Sequence, residues 1–355
     1  MDSQLTLFAE TIPTSAKFPS TRYQGSKQKF VDWIWQCIKD IPFATALDAF
    51  GGTACVSYKM KEEGKKVVYN DILPFNSIIG KALIENDDTI LTDEDVEYIL
   101  NCHCDISYPN FIEKTFKDIY FTEEENQWLD IVSTNIRSIN DEYKRAMAYF
   151  ALFQSCIIKR PYNLFHRKNL YVRLQDVKRS FGNKKTWDTP FETHFRKFVK
   201  EANNAILKSK NKCSSINKDI FEVSGNFDLV YIDTPYISEN GVGVDYADFY
   251  HFLNGLADYD NWKANIDYKS KHLRLLRTSN VWNDKEHISN AFEKLFRKFS
   301  NSTMVISYRS NGIPTIEELV NMLIRIGKDV KIYQSNEMKY VLSSKVSNEV
   351  LIVAE

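Results

Sequence analysis

The 355-residue sequence has almost no excess charge: 46 Lys and Arg stand against 47 Asp and Glu, for a net charge of −1. Taken alone, that balance argues against nucleic-acid binding. No run of about eighteen apolar residues occurs, so no membrane-spanning helix is expected. The opening MDSQLTLFAE has neither the charged n-region nor the apolar h-region of a signal peptide. Six cysteines (Cys37, Cys55, Cys102, Cys104, Cys156 and Cys213) lie scattered, without the spacing of a disulfide framework. A reducing cytoplasm is the expected location. Internal repeats and low-complexity segments are also absent, which leaves a globular chain long enough for one large domain or two.

What is present is uneven. Between Lys159 and Lys185 stand nine basic residues (Lys159, Arg160, Arg167, Lys168, Arg173, Lys178, Arg179, Lys184 and Lys185) and one acid, Asp176. From Glu85 to Glu142 the balance reverses, with sixteen acids against Lys114, Lys117 and Arg137. A phosphate-binding face needs only a local field; a solvated basic face is the other reading. Aromatic residues make up 14%, most of them material for the core and a few available to stack on bases. Cys102-His103-Cys104 lacks the paired spacing of a zinc site, and no metal is expected.

Strand and helix signals fall into an α/β order. Ala46–Phe50 reads as a short strand ending in Gly51-Gly52, and Ala54–Lys61 as a helix with Thr53 as its N-cap. Lys66–Tyr69 reads as a second strand ending at Asn70-Asp71, which completes a right-handed βαβ unit. Sheet-like runs return at Phe227–Ile232, Thr303–Tyr308 and Val330–Tyr333. Val341–Ser343 and Val350–Val353, joined through Val346–Asn348, read as a closing antiparallel hairpin. The stretch 85–213 has long helical patterns such as Tyr143–Ile158 and no βαβ rhythm, which reads as an insertion.

Asp228–Tyr236 carries the chemistry. Leu229-Val230-Tyr231-Ile232 has the make-up of a buried parallel strand, and Asp233-Thr234-Pro235-Tyr236 would sit at its carboxyl end, where open α/β sheets bind ligands. A carboxylate, a carbonyl released from the ladder and a flat ring suit the gripping of an exocyclic amino group. Asp48-x-Phe50-Gly51-Gly52 lacks the third glycine of a dinucleotide fingerprint. Asp71 has the spacing to take two ribose hydroxyls, with a helix cap as the alternative. Ser307-Tyr308 follows an apolar strand, and its tyrosine reads as a core or rim residue.

Together with Arg22-Tyr23-Gln24-Gly25-Ser26-Lys27, these motifs resemble, in content and order, the Dam-like D12 class of N6-adenine DNA methyltransferases. The resemblance covers roughly 20–84 and 215–355 and fades through 85–213. It implies a class I S-adenosylmethionine-dependent, Rossmann-like fold: an α/β sheet with a C-terminal antiparallel hairpin. Residues 1–84 and 214–355 would form a discontinuous catalytic domain, and 85–213 a largely helical target-recognition insertion. It implies that Tyr23, Gln24 and Lys27 line the cofactor pocket, with Lys27 near the methionine carboxylate. Asp48, Phe50 and Gly51 would face the methionine part, Asp71 the ribose, and Asp219, Ile220 and Phe221 the cofactor adenine. Asp233, Thr234, Pro235 and Tyr236 would be catalytic. The family's first proline is Thr234 here; Pro235 still biases Thr234 towards an extended backbone, so the carbonyl direction is expected to survive.

The expected reaction is site-specific methylation of a flipped-out adenine in double-stranded DNA, in a restriction–modification system with a cognate endonuclease acting on the same site. Lys184 and Lys185 are expected on DNA phosphates, and Arg173 at a base edge. The alternatives are an N4-cytosine methyltransferase, a catalytically weakened DNA-binding homologue and a dinucleotide oxidoreductase.

Overall fold

The computed structural model describes residues 16–177, 184–239, 241, 243–335 and 348–355. Seven strands form its main sheet: β1 (Thr45–Asp48), β2 (Lys66–Asn70), β3 (Ser214–Ile216), β4 (Leu229–Ile232), β5 (Thr303–Arg309), β6 (Val330–Gln334) and β7 (Glu349–Ala354). Their spatial order is β3-β2-β1-β4-β5-β7-β6. The first five run parallel, and β7 runs antiparallel between β5 and β6.

Burial follows position in this order. All four residues of β4 and all six of β7 are buried, as strands covered on both faces must be. The edge strand β6 carries Lys331 and leaves Ile332 half exposed. Along β1 and β4, alternate residues feed two separate hydrophobic clusters. Ala46 and Tyr231 belong to one, and Leu47, Val230 and Ile232 to the other. At its start β4 is pinned to β1 by Asp228, whose Oδ2 accepts from the backbone N–H groups of Ala44 (2.9 Å) and Thr45 (2.8 Å).

One local expectation changes, one falls outside the described residues, and one strand is new. The helix after β1 is Cys55–Glu62, and its N-cap is Ala54 in the left-handed region (φ 67°), with no side-chain cap. Thr53 instead shares a 3.2 Å hydroxyl hydrogen bond with Ser26. The antiparallel pair at the chain end joins Val330–Gln334 to Glu349–Ala354; the expected strand Val341–Ser343 lies outside the described residues. β3, three half-buried residues with no apolar run, had no sequence signal. It forms because Val68, Tyr69 and Asn70 of β2 offer it a parallel ladder.

The described part of 85–213 is helical, with long helices at Glu123–Ser138, Glu142–Ile158 and Phe191–Asn204. Its apolar faces do not form a separate core. Phe116, Phe150, Phe153 and Phe195 belong to the same cluster as Ala46, Val67 and Tyr69 of the sheet. Among the described residues, no helix is long and apolar enough to cross a membrane.

The turn after β1 is shaped by one ring. Tyr69 of β2 is fully buried, and its hydroxyl donates to the Gly52 carbonyl at 2.8 Å. A Cβ on Gly51 would lie 2.0 Å from this ring, and one on Gly80 would lie 2.3 Å from it and 2.5 Å from Ser215 Oγ. The glycines are required by packing on Tyr69. Gly80→Ala should therefore lower unfolding stability by about 1–3 kcal/mol through overpacking, read as a shifted denaturation midpoint with unchanged slope. A midpoint equal to the parent's would show that the ring can yield.

Candidate active site

The register of the sheet brings distant motifs together. Asp48, the last residue of β1, lies level with Tyr69 of β2 and Tyr231 of β4. Asp71 and Asp233 each follow two positions beyond those levels, so three carboxylates border one cavity of about 960 Å³. Its wall also includes Tyr23, Lys27, Phe50, Gly51, Asp219, Ile220, Phe221, Thr234, Pro235 and Tyr236. Gln24 is not part of that wall. It supports the cavity from behind, its backbone N–H donating to the Tyr250 hydroxyl at 2.8 Å. That hydroxyl's ring stacks on Tyr23, with centroids 4.5 Å apart.

Each carboxylate has a different setting. Asp48 is 1% exposed; its Oδ2 accepts from Ser57 Oγ at 2.6 Å, and its Oδ1 has no hydrogen-bond partner. Burial pushes its pKa up to about 7, and the charges of Asp233 and Asp71 add to the rise. Asp71 accepts from the N–H groups of Gly52 (2.9 Å) and Leu73 (2.8 Å) and from Asn76 Nδ2 (3.0 Å). It thus ties the glycine turn to the end of β2 and caps the following turn. Burial lifts its pKa to about 6, against the pull of those donors.

Asp233 is bound up with Lys27 and Tyr236. The Tyr236 hydroxyl donates to Asp233 Oδ1 at 2.6 Å and receives a 2.5 Å hydrogen bond from Lys27 Nζ. Lys27 Nζ also lies 3.2 Å from Asp233 Oδ1 and 2.8 Å from Glu349 Oε1. The Lys27 ammonium, expected near a cofactor carboxylate, is thus directed at two carboxylates of the protein. Burial raises the Asp233 pKa to about 6; Lys27 opposes the rise and Glu349 adds to it. Thr234 is 3% exposed, with Oγ1 lacking a partner. Tyr308 is a core residue: it is fully buried, bonded to the Pro314 carbonyl and edge-on to Tyr236.

At the other end of the cavity, Asp219 Oδ1 accepts from Phe221 N–H at 2.9 Å and so fixes the turn that presents Ile220 and Phe221. Among the wall residues that the sequence did not mark are Trp282 and Ile72. Trp282 lies parallel to Phe221 (6.0 Å, 11°) and edge-on to Phe50 (5.1 Å, 85°). It comes from a polar stretch without periodicity, so nothing marked it. Ile72, 59% exposed at the rim directly after Asp71, was readable from its place beyond a strand-end acid.

The basic stretch is partly interior. Arg173, expected at a base edge, is 4% exposed and forms a two-pronged pair with Glu125 (2.8 and 2.7 Å). Lys159 reaches the same carboxylate at 2.8 Å. Arg160 is 1% exposed and donates to the carbonyls of Tyr120, Leu164 and Arg167. Arg167, Lys168, Lys184 and Lys185 are exposed, with Lys184 3.2 Å from Asp188. Lys178 and Arg179 lie outside the described residues.

A mostly parallel sheet with acids at the ends of three strands, a glycine turn and a strand-end Asp-x-Pro-Tyr defines a group-transfer site of the methyltransferase type. The chain belongs to the D12 class N6 adenine-specific DNA methyltransferases, whose family model matches residues 23–322. It is similar to the Type II methyltransferase M2.HphI of Haemophilus parahaemolyticus, with 32% identity over 90% of this chain and 91% of the relative. It is also similar to the modification methylase LlaI of Lactococcus lactis subsp. lactis and the Type II methyltransferase M.FokI of Planomicrobium okeanokoites. Each is 26% identical over 87% and 90% of this chain respectively, which spans about half (49%) of either relative.

The Asp48 pKa gives a stability test. The unfolded chain ionises this group near pH 4, whereas the folded chain holds its proton to about 7. Between those values the native state binds the extra proton, so the cost of burial grows as pH rises and is full above 7. Asp48→Asn should therefore stabilise the protein at pH 8 by roughly 2–4 kcal/mol and by little at pH 4.5, read by urea denaturation. An equal effect at both pH values would exclude burial of the charge as the cause.

Proposed function

We propose that this chain transfers a methyl group from S-adenosylmethionine to N6 of an adenine flipped out of double-stranded DNA. In that reading it is the cytoplasmic modification partner of a restriction endonuclease, as the names of its relatives suggest. The observation that carries it is Asp233 at the cavity, with one oxygen held by Lys27 and Tyr236. The cavity residues fit the cofactor. Asp48 Oδ1 is a buried acceptor without a partner, suited to an ammonium group, and Ile72 and Phe221 offer an apolar wall for a flat ring.

When bound, the cofactor supplies a sulfonium methyl: its S–C bond breaks as the N6 lone pair forms the N–C bond, and sulfur keeps the electron pair. The protein's part is to make that lone pair available. In free adenine it is delocalised into the ring. Asp233 and the Thr234 carbonyl accept the two N6 hydrogens, which favours a tetrahedral nitrogen and stabilises the positive charge that develops. Asp233, with its raised pKa, takes the surplus proton from the methylated nitrogen and passes it to water. Tyr236 flanks the base, and Phe221 with Trp282 walls the cofactor adenine.

Asp233→Ala should reduce methyl transfer to an unmethylated plasmid by a factor of at least about a hundred, with the fold retained by circular dichroism. Near-normal turnover would sink this assignment. Calorimetric titration separates the classes: S-adenosylmethionine should bind and a nicotinamide dinucleotide should not.

On the DNA side, the exposed Arg167, Lys168, Lys184 and Lys185 are assigned to phosphates. Joint replacement Lys184→Ala and Lys185→Ala should weaken binding of a 40-base-pair duplex and flatten its salt dependence by about one to two units of logarithmic slope. An unchanged slope would make them a solvated face.

A further inference from the structure

Glu349 opens β7, far in sequence from every motif, and is 0% exposed. A carboxylate in such a place is costly unless it is paired and hydrogen-bonded. It has both kinds of partner: Lys27 Nζ lies 2.8 Å from Oε1, and Ser307 Oγ of β5 donates to the same oxygen at 2.5 Å. Lys27 is itself 4% exposed, and Asp233 Oδ1 lies 3.2 Å from its Nζ on the side of the cavity. Two carboxylates therefore share one buried ammonium.

A structural ion pair needs only one acid. The second adds a negative charge beside the shared ammonium, and its effect reaches Asp233, whose pKa it raises. With Glu349 absent, the ammonium would turn wholly to Asp233 and weaken it as an acceptor. With Glu349 present, Lys27 and Tyr236 fix Oδ1 while the ammonium's charge is divided, and Asp233 Oδ2 carries none of these bonds. We propose that Glu349 is a positioning residue of the methyl-transfer site: through Lys27 it orients Asp233 and sets how strongly that carboxylate accepts the substrate amino group. The inference rests on the reading of Asp233 as the amino-group acceptor.

Other groups face Asp233. Asp48 from β1 adds negative charge and titrates near 7. Tyr231 of β4 and Tyr246 from the segment after the motif have hydroxyls held protonated by burial, and the Cys55 thiol is pushed up to about 11. Tyr236 donates from the same turn. Asp48 and Asp71 titrate in the same window as Asp233, near 7 and near 6, but Glu349 is not among the groups that shift either of them, so a limb that moves with Glu349 belongs to Asp233.

The experiment is single-turnover methylation of an unmethylated plasmid at saturating S-adenosylmethionine, from pH 5 to 9, in the parent background with and without Glu349→Gln. Loss of the negative neighbour should move the midpoint of the acid limb down by about one pH unit. The plateau rate should fall about tenfold, with cofactor and DNA affinities within twofold of the background. An unmoved midpoint, or a loss of rate that follows a loss of cofactor or DNA binding, would overturn the proposal. If the Gln variant does not fold, Glu349→Asp decides. It keeps the charge but withdraws it by one methylene, so a tenfold slower rate at an unchanged midpoint supports the proposal, and a background-like rate overturns it. Asp233→Ala in parallel separates the two layers. If it stays active, the acceptor reading itself is wrong; if it is inactive while Glu349→Gln keeps its midpoint, only the role of Glu349 falls.

Discussion

Lys27 is held in a nearly closed setting by Asp233, Glu349 and Tyr236, and through it three remote parts of the chain are locked around the cavity. The lysine comes from a single 3₁₀ turn, Lys27–Lys29. Asp233 directly follows β4, and Glu349 begins β7, over a hundred residues later. A buried charge without a partner costs several kcal/mol, so each member commits the others to their positions. That turn cannot swing away without taking the ammonium from both acids. β7 cannot slip along β5 by one residue without carrying Glu349 to the opposite face. The geometry at Asp233 therefore depends on the assembly of the whole sheet as well as on its own turn.

The second constraint is the clamp between β1 and β2. Asp71 receives the Gly52 N–H, and Tyr69 gives its hydroxyl to the Gly52 carbonyl. Both polar groups of one glycine are therefore fixed by neighbours two residues apart on β2. Gly52 takes a left-handed conformation (φ 51°), which that residue adopts with little strain. A turn held in this way presents backbone to the cavity in one conformation before any ligand arrives, so less ordering remains to be done on binding.

The parts legible in the sequence were those written in local chemistry. The apolar run Leu229–Ile232 and the acids beyond β1, β2 and β4 announced themselves through position and residue type. Family motifs then supplied their order. What stayed hidden depended on contacts between distant segments. β3 is too short and too polar to have a periodicity of its own; it exists because β2 offers a free edge. Trp282 reaches the cavity from a stretch whose only instruction is tertiary. Thr53 looked like a helix cap by type, but the glycine turn delivers Ala54 to that position and sends the Thr53 hydroxyl to Ser26. Glu349 carried no signal of its own, since nothing local distinguishes a buried acid from an exposed one.

The charge pattern shows the same limit in a sharper form. An acidic stretch, 85–142, and a basic one, 159–185, suggested a face built for phosphates. Part of that polarity is internal instead. Glu125 also closes the capping box of Glu123–Ser138 with Thr122, and it gathers both Arg173 and Lys159. The Arg160 guanidinium lies over the Tyr120 ring, 4.5 Å from its centroid, and donates to the loop that follows it. These cations therefore shape the segment that carries Arg167 and Lys168, and their own charge is spent on carboxylate and carbonyl partners. A count of basic residues measures field only where the charges remain in water or meet phosphate. Here Glu125 of the acidic stretch is the partner that draws Arg173 and Lys159 of the basic one inward.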